Sequence, residues 1–275
     1  GYDTLYNQAS SSTVSGGAGD DQIYGSSLGS NDLYDGGEGN DRFDVSSASS
    51  TINGGAGDDF INSAGANNLI DGGAGADQII NNGSGAIING GADGDQIENN
   101  GANAQVNGDA GNDLINNMIT GTNSTLAGGT GDDTINNYAS LTAIDGGAGD
   151  DLITNYGAKV QINGGAGNDT INNIGDDATG ATIRGGAGDD LIQIGSTVQG
   201  NVIEYGDGDG NDIIQNFGLN DVLKFDSGLT VTHASDGLDY VISVSGSSGT
   251  STIVLQGLGD YDFDYSNGVF SVKSA

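Results

Sequence analysis

Through the first two hundred residues, large apolar side chains come singly, about nine positions apart, between stretches of glycine, asparagine and aspartate. One series is Ile23, Phe43, Ile61, Ile79, Ile97, Ile115, Ile135, Ile153, Ile171 and Ile192. Ahead of each member by nine residues, allowing for small insertions, lies a second: Val14, Tyr34, Ile52, Ile70, Ile88, Val106, Leu126, Ile144, Ile162 and Ile183. A helix needs an apolar residue every three or four positions along its inward face, so this spacing excludes helices. The pattern predicts two short strands per unit, each with one inward anchor, joined by two turns. The fold class is therefore all-β: a parallel β-roll or β-solenoid in which every coil pairs with the next through both strands.

One of the two turns repeats almost word for word. Gly54-Gly55-Ala56-Gly57-Asp58-Asp59-Phe60-Ile61-Asn62 returns with small changes from Gly16, Gly36, Gly72, Gly90, Gly108, Gly128, Gly146, Gly164 and Gly185. Its sixth place is always aspartate: Asp21, Asp41, Asp59, Asp77, Asp95, Asp113, Asp133, Asp151, Asp169 and Asp190. The spacing is 18 residues, lengthened to 20 or 21 by insertions at three points. A roll stacks these carboxylates at a strand spacing of about 4.8 Å. Two charges ~5 Å apart repel by about 3 kcal/mol at an effective dielectric of 20, so the file calls for cations between the turns. Carboxylate and carbonyl oxygens at a glycine turn are hard ligands, which suit calcium better than zinc or copper.

These residues match the nonapeptide G-G-x-G-x-D-x-U-x, and over about residues 1–215 the chain resembles the calcium-binding β-roll of the RTX (repeats-in-toxin) family of secreted bacterial proteins. The resemblance implies that calcium sits between equivalent turns of adjacent coils. Its ligands would be the ten sixth-place aspartates and main-chain carbonyls of the glycine turn, at Gly19, Gly39, Gly57, Gly75, Gly111, Gly131, Gly149, Gly167 and Gly188. Asp3, 18 residues before Asp21, and Asp212, in the altered repeat Tyr205-Gly206-Asp207-Gly208-Asp209-Gly210-Asn211-Asp212-Ile213-Ile214, extend the set at either end. Two coils depart from the pattern: Asp93 replaces the fourth-place glycine and Asp109 the second-place one.

The opposite turn departs further, because a conventional RTX roll repeats the calcium turn every nine residues. Here that turn is neutral, as in Asn81-Asn82-Gly83 and Asn155-Tyr156-Gly157, and it places Asn81, Asn99, Asn117, Asn137, Asn155 and Asn173 at one position of six consecutive coils. Asparagine tolerates left-handed turns and bonds its neighbours along a stack, so this file reads as a structural ladder. About ten calcium ions are thus expected in one column, along one edge only.

Gly1-Tyr2-Asp3-Thr4-Leu5-Tyr6 fits the last six places of the nonapeptide, so the chain opens inside a repeat and reads as part of a longer parent. From Phe217 the pattern changes: 239–245 and 251–256 look like strands, and Asn267-Gly268 is a hairpin signal. Residues 216–275 are expected to cap the exposed end of the roll, and the segment from Val269 to Ala275 is a candidate type I secretion signal.

Charge narrows the partners. With 38 acidic residues against 5 basic ones, the net charge is −33, which disfavours nucleic acid and anionic membrane surfaces. No apolar run is long enough to span a bilayer, and the absence of cysteine excludes disulfides and thiolate metal sites. Ile, Leu, Val and Phe make up about 21% of residues, beside the ~20% below which a highly charged chain stays disordered. Such a chain needs something besides apolar burial to fold.

Nothing in the residues points to catalysis. Among so many carboxylates, pairs at glycosidase-like separations arise by chance, the lone His233 has no partner of metal-ligating type, and no G-x-S-x-G elbow occurs. The chain is read as a non-enzymatic, extracellular or cell-surface calcium module that folds after type I secretion. It would serve as stalk, spacer or folding cassette of a toxin, adhesin or surface-layer protein. An appended module that positions a secreted, polysaccharide-modifying enzyme is the alternative, with a glycan as a conceivable partner. An ice-binding solenoid would need a regular row of threonine and asparagine beside the turns. The third places are Ala18, Glu38, Ala56, Ala74, Ala92, Ala110, Thr130, Ala148, Ala166 and Ala187, which is not such a row.

Overall fold

The computed structural model describes residues 1–235, 237–258 and 261–272. Every regular element among them is a β-strand. None of the described residues forms a helix long and apolar enough to cross a membrane. The chain divides into two compact units, Gly1–Ala139 and Ser140–Ala275.

In the first unit a coil consists of a six-residue strand, the acidic turn, a four-residue strand and the neutral turn. Thr51–Ala56 and Phe60–Ser63 are one such pair. Alternation along the strands turns Ile52 and Gly54 inward on one and Ile61 and Ser63 on the other. All pairing is parallel and in register: Phe43↔Ile61, Ile61↔Ile79 and Ile97↔Ile115 on one sheet, Tyr34↔Ile52, Ile52↔Ile70 and Val106↔Leu126 on the other. The two anchor series are fully buried from Ile23 onward, and each large side chain contributes about 1.5–3 kcal/mol. Apart from these anchors, the interior holds the first-place glycine, the sixth-place carboxylate and small side chains of the neutral turn, such as Ser63 with Asn68 and Asn81 with Ala86. Apolar burial per coil is thin.

The second unit repeats the arrangement, with Ile144↔Ile162, Ile162↔Ile183 and Ile183↔Ile203 on one sheet and Ile153↔Ile171 and Ile171↔Ile192 on the other. Parallel pairing carries on past residue 215, because Val222–Phe225 joins Val202–Tyr205 and Thr250–Gln256 joins Asp212–Gln215. Antiparallel strands follow. Val269–Val272 closes on Val222–Phe225, and Phe263–Ser266 pairs with it through a hairpin whose turn residues, Asn267 and Gly268, are both left-handed. On the other sheet Tyr240–Ser245 joins Thr250–Gln256 and then Thr230–Ser235. Tyr240, Phe263 and Phe270 pack as an aromatic cluster over this end. His233 is exposed on that cluster, its Nδ1 2.7 Å from the Tyr240 hydroxyl. Of the candidate secretion segment, residues 273–275 lie outside the described residues.

Candidate metal centre

Each acidic turn is fixed by its glycines. Gly57, in the fourth place, has φ +123°, and a methyl group there would overlap the carbonyl of Gly39 one coil earlier. Its N–H donates to the Ala74 carbonyl of the next coil at 2.8 Å. Gly39, Gly75, Gly149 and Gly167 donate in the same way, at 2.8 to 3.3 Å. Asp93 and Asp109 take left-handed conformations at φ 74°, accommodating a side chain in glycine's place.

The sixth-place aspartates are 1–3% exposed from Asp21 to Asp190, as is Asp212 at 3%. Asp3 is exposed. From Asp21 to Asp133, and in Asp169, Asp190 and Asp212, Oδ1 accepts the N–H of the equivalent aspartate one coil earlier. Asp41 N donates to Asp59 Oδ1 at 2.7 Å, Asp77 N to Asp95 Oδ1 at 2.8 Å and Asp190 N to Asp212 Oδ1 at 3.0 Å. The second oxygen behaves differently. Oδ2 of Asp21, Asp41, Asp59, Asp77, Asp95, Asp113, Asp169 and Asp190 is buried with no hydrogen-bond partner. It points into a small cradle. A methyl group built on the first-place glycine would overlap both this oxygen and the first-place carbonyl of the next coil, as at Gly54 with Asp59 and Gly72, or at Gly164 with Asp169 and Gly185. Carboxylate and carbonyl oxygens thus face each other with no proton donor between them.

Burial, reinforced by neighbouring carboxylates, raises Asp41, Asp59, Asp77, Asp95, Asp113, Asp133, Asp169, Asp190 and Asp212 above the ordinary carboxylate value, against the lowering effect of the one N–H each accepts. Asp59, Asp95 and Asp190 are pushed up to about 7, Asp77 and Asp133 to about 6, and Asp212 to about 8. Arg42, Arg184 and Lys224 pair elsewhere, with Asp44, Asp209 and Glu204. A buried anion without a cation is costly.

The oxygens present fit a hard divalent cation. Among the described residues no three acidic or histidine side chains gather at one point. The cradle draws instead on a carboxylate and main-chain carbonyls, an all-oxygen set of calcium's type rather than zinc's. From Asp21 to Asp113, and at Asp151 and Asp169, the carbonyl beside the carboxylate is that of the next coil's first-place glycine. The fourth-place carbonyls, such as that of Gly39, stand over the fourth-place α-carbon of the following coil.

Residues 6–43, 46–79, 119–136, 161–173 and 180–193 match the family model of the RTX calcium-binding nonapeptide repeat. The chain carries RTX calcium-binding repeats. Among solved structures, a hyperactive, Ca2+-dependent, β-helical antifreeze protein from an Antarctic bacterium shares the fold, with a TM-score of 0.58, 21% identity and coverage of 81% of this chain and 80% of that one. No curated protein matches the chain.

On the far side of the RTX coils the asparagine file points inward. Asn81 Nδ2 donates to Asn99 Oδ1, and Asn99 to Asn117, both at 2.8 Å, and all three are fully buried. Each amide also ties its own turn, Asn99 taking the Gly101 N–H at 3.2 Å and donating to the Gly101 carbonyl at 2.9 Å. In the second unit the file runs from Asn155 to Asn173 at 2.7 Å and on to Asn201 and Asp221. Asn201 and Asp221 escape the sequence because they stand at another place of the coil, just before the strands Val202–Tyr205 and Val222–Phe225, while register sets Ile194 opposite Asn173. A second ladder was hidden among the fifth places: Asn40 N donates to Asp20 Oδ1, Asp58 N to Asn40 Oδ1 and Asp189 N to Asn168 Oδ1. Aspartate and asparagine share that place because either supplies the acceptor.

Proposed function

We propose that this calcium-binding β-roll is an extracellular structural module whose coils order when calcium fills the acidic turns. The reading rests on one observation: buried, partnerless Oδ2 atoms facing carbonyl oxygens, turn after turn. Calcium supplies the positive charge that lets two such oxygens approach. The protein does the rest. Glycines open the cradle, Oδ1 fixes the carboxylate by taking an N–H from the adjoining coil, and the asparagine ladder holds the opposite edge without metal. Extracellular modules bind calcium at roughly 10⁻⁴–10⁻³ M, far above its cytosolic concentration, so the chain stays extended inside the cell and folds outside. That suits passage through a type I secretion channel and a role as stalk, spacer or folding cassette of a larger secreted protein.

Far-ultraviolet circular dichroism and hydrodynamic radius, each with and without calcium, test the reading. A chelated chain with an unchanged β spectrum and radius would refute it. The antifreeze protein of similar fold raises ice binding as a second reading. Against it stands the exposed third-place row, where register sets Ala18, Glu38, Ala56, Ala74, Ala92, Ala110 and Thr130 side by side. Thermal hysteresis of the calcium-loaded chain is expected to be nil.

A further inference from the structure

The first-place glycine makes room in each acidic turn, and the second unit gives that glycine up at one coil. Register pairs Thr182 with Val202 and Ile183 with Ile203. Two residues on from Ile183 is Gly185, and two on from Ile203 is Tyr205. The next pairing, Tyr205↔Phe225, puts Phe225 in the same file. At Gly185 a methyl group would already overlap Asp190 Oδ2. At Tyr205 a whole phenol stands there, 2% exposed. Its ring meets Phe225 edge-on at 6.1 Å, and Phe225 meets Tyr265 at 6.0 Å. A file of glycines becomes a file of aromatic rings.

Polar groups of this turn are satisfied from within the protein. The Tyr205 hydroxyl donates to the carbonyl of Gly210. Gly210 holds the fourth place: at φ +106°, a methyl group on it would overlap the Gly188 carbonyl one coil earlier. This turn is two residues longer than the others, since Tyr205 stands seven residues before Asp212 where Gly185 stands five before Asp190. Asp209, three residues before Asp212, accepts from Arg184 Nη2 at 2.9 Å and from Gly206 N at 2.6 Å. Asp207 accepts the N–H groups of Ser247 at 2.9 Å and Ser248 at 3.0 Å. The series of buried, unbonded Oδ2 atoms stops at Asp190 and does not include Asp212.

We infer that Tyr205 plugs the acidic turn of its coil, so that the calcium sites of the second unit end at the Asp190 turn and the Asp212 turn is closed by protein groups alone. The phenol on the Gly210 carbonyl and the Arg184 guanidinium on Asp209 take the place of the metal. Asp212 keeps the sixth-place residue and its backbone bond from Asp190, but not the metal. This rests on the calcium reading of the other turns.

Counting bound calcium by native mass spectrometry on the full chain tests it, with calcium alone as the probe. Asp190→Asn is expected to bind at least one ion fewer than the unaltered chain, and Asp212→Asn the same number. Tyr205→Gly, which restores the repeat glycine, is expected to bind one more. Loss of an ion in Asp212→Asn would overturn the inference, as would an unchanged count in a folded Tyr205→Gly. Should removal of the ring cost the fold, Asp212→Asn decides alone. An unaltered chain that binds no calcium overturns the reading beneath, and the inference with it, a result distinct from a shift of one ion.

Discussion

With calcium withheld, acid is expected to do part of the metal's work. Burial lifts Asp59, Asp77, Asp95, Asp133, Asp190 and Asp212 from 3.8 to between about 6 and 8 in the folded chain, so folding takes up protons that the unfolded chain has released. The sign follows. Because the folded values lie above the unfolded ones, the stability these groups contribute is complete below about pH 4 and is lost as pH rises through 6 to 8. For Asp59 and Asp95 the rise from 3.8 to about 7 is some three units, or ~4 kcal/mol at 1.36 kcal/mol per unit. Solvent reaching the turn screens the charge, and halving leaves ~2 kcal/mol each. Summed with Asp77, Asp133, Asp190 and Asp212 on the same footing, the difference is on the order of 10 kcal/mol, the whole stability of an ordinary domain.

The assay is a denaturant titration followed by circular dichroism, on calcium-free chain between pH 5 and 8, staying above the pI near 4.1 to avoid precipitation. The metal-free chain is expected to be folded at pH 5 and unfolded at pH 8. Addition of calcium at pH 8 restores the β spectrum without proton release, because the unfolded carboxylates are already ionised there, whereas binding to the folded chain at pH 5 releases protons. Equal metal-free stability at both pH values, or greater stability at pH 8, would refute the claim that buried, charged carboxylates hold the chain open.

Asp95→Asn keeps the acceptor for the Asp77 N–H and removes the charge, so it is expected to raise the metal-free unfolding midpoint while lowering the calcium-saturated one. A change of the same sign in both titrations would contradict the site. Asn99→Ala strips partners from Asn81 Nδ2, Asn117 Oδ1 and both backbone groups of Gly101, and should cost at least ~3 kcal/mol in calcium-saturated urea unfolding. Leu141 stands at φ 61° and is 57% exposed. Leu141→Gly is expected to gain about 1 kcal/mol, read as a higher melting temperature in saturating calcium.

The strand pairs, their parallel register and the acidic edge were legible in the sequence because each rests on a short repeat with a fixed place for every residue type. Ile61 and Asp59 recur at one place in every coil, and the structure stacks them accordingly. Three features were not legible. Which carbonyl faces the carboxylate depends on how the turn folds back, and the backbone brings that of Gly72 to Asp59. The left-handed residues of the neutral turn, Asn67, Asn103 and Asn123 but also Ser11, Ser49, Leu141 and Lys159, follow backbone geometry without regard to residue type. Tyr205 carries no repeat signal, since its meaning comes from the residue it replaces.

The interior also changes what the composition means. Large apolar side chains are sparse, at about 21% of residues, yet two per coil are almost all fully buried. Between them lie asparagine amides bonded to one another and carboxylates bonded through one oxygen only. The amide ladder is satisfied at any calcium concentration, and the carboxylate file is not. A fold with one edge complete and the other waiting for a cation has its stability set from outside, by the free calcium around it. If the inference about Tyr205 holds, the turn it closes is the one acidic turn of its unit exempt from that control. At pH 8, with calcium too low to fill the turns but enough to keep the chain folded, hydrogen exchange is then expected to leave residues 202–225 more protected than 143–173. The reverse order would show that the phenol does not substitute for the metal.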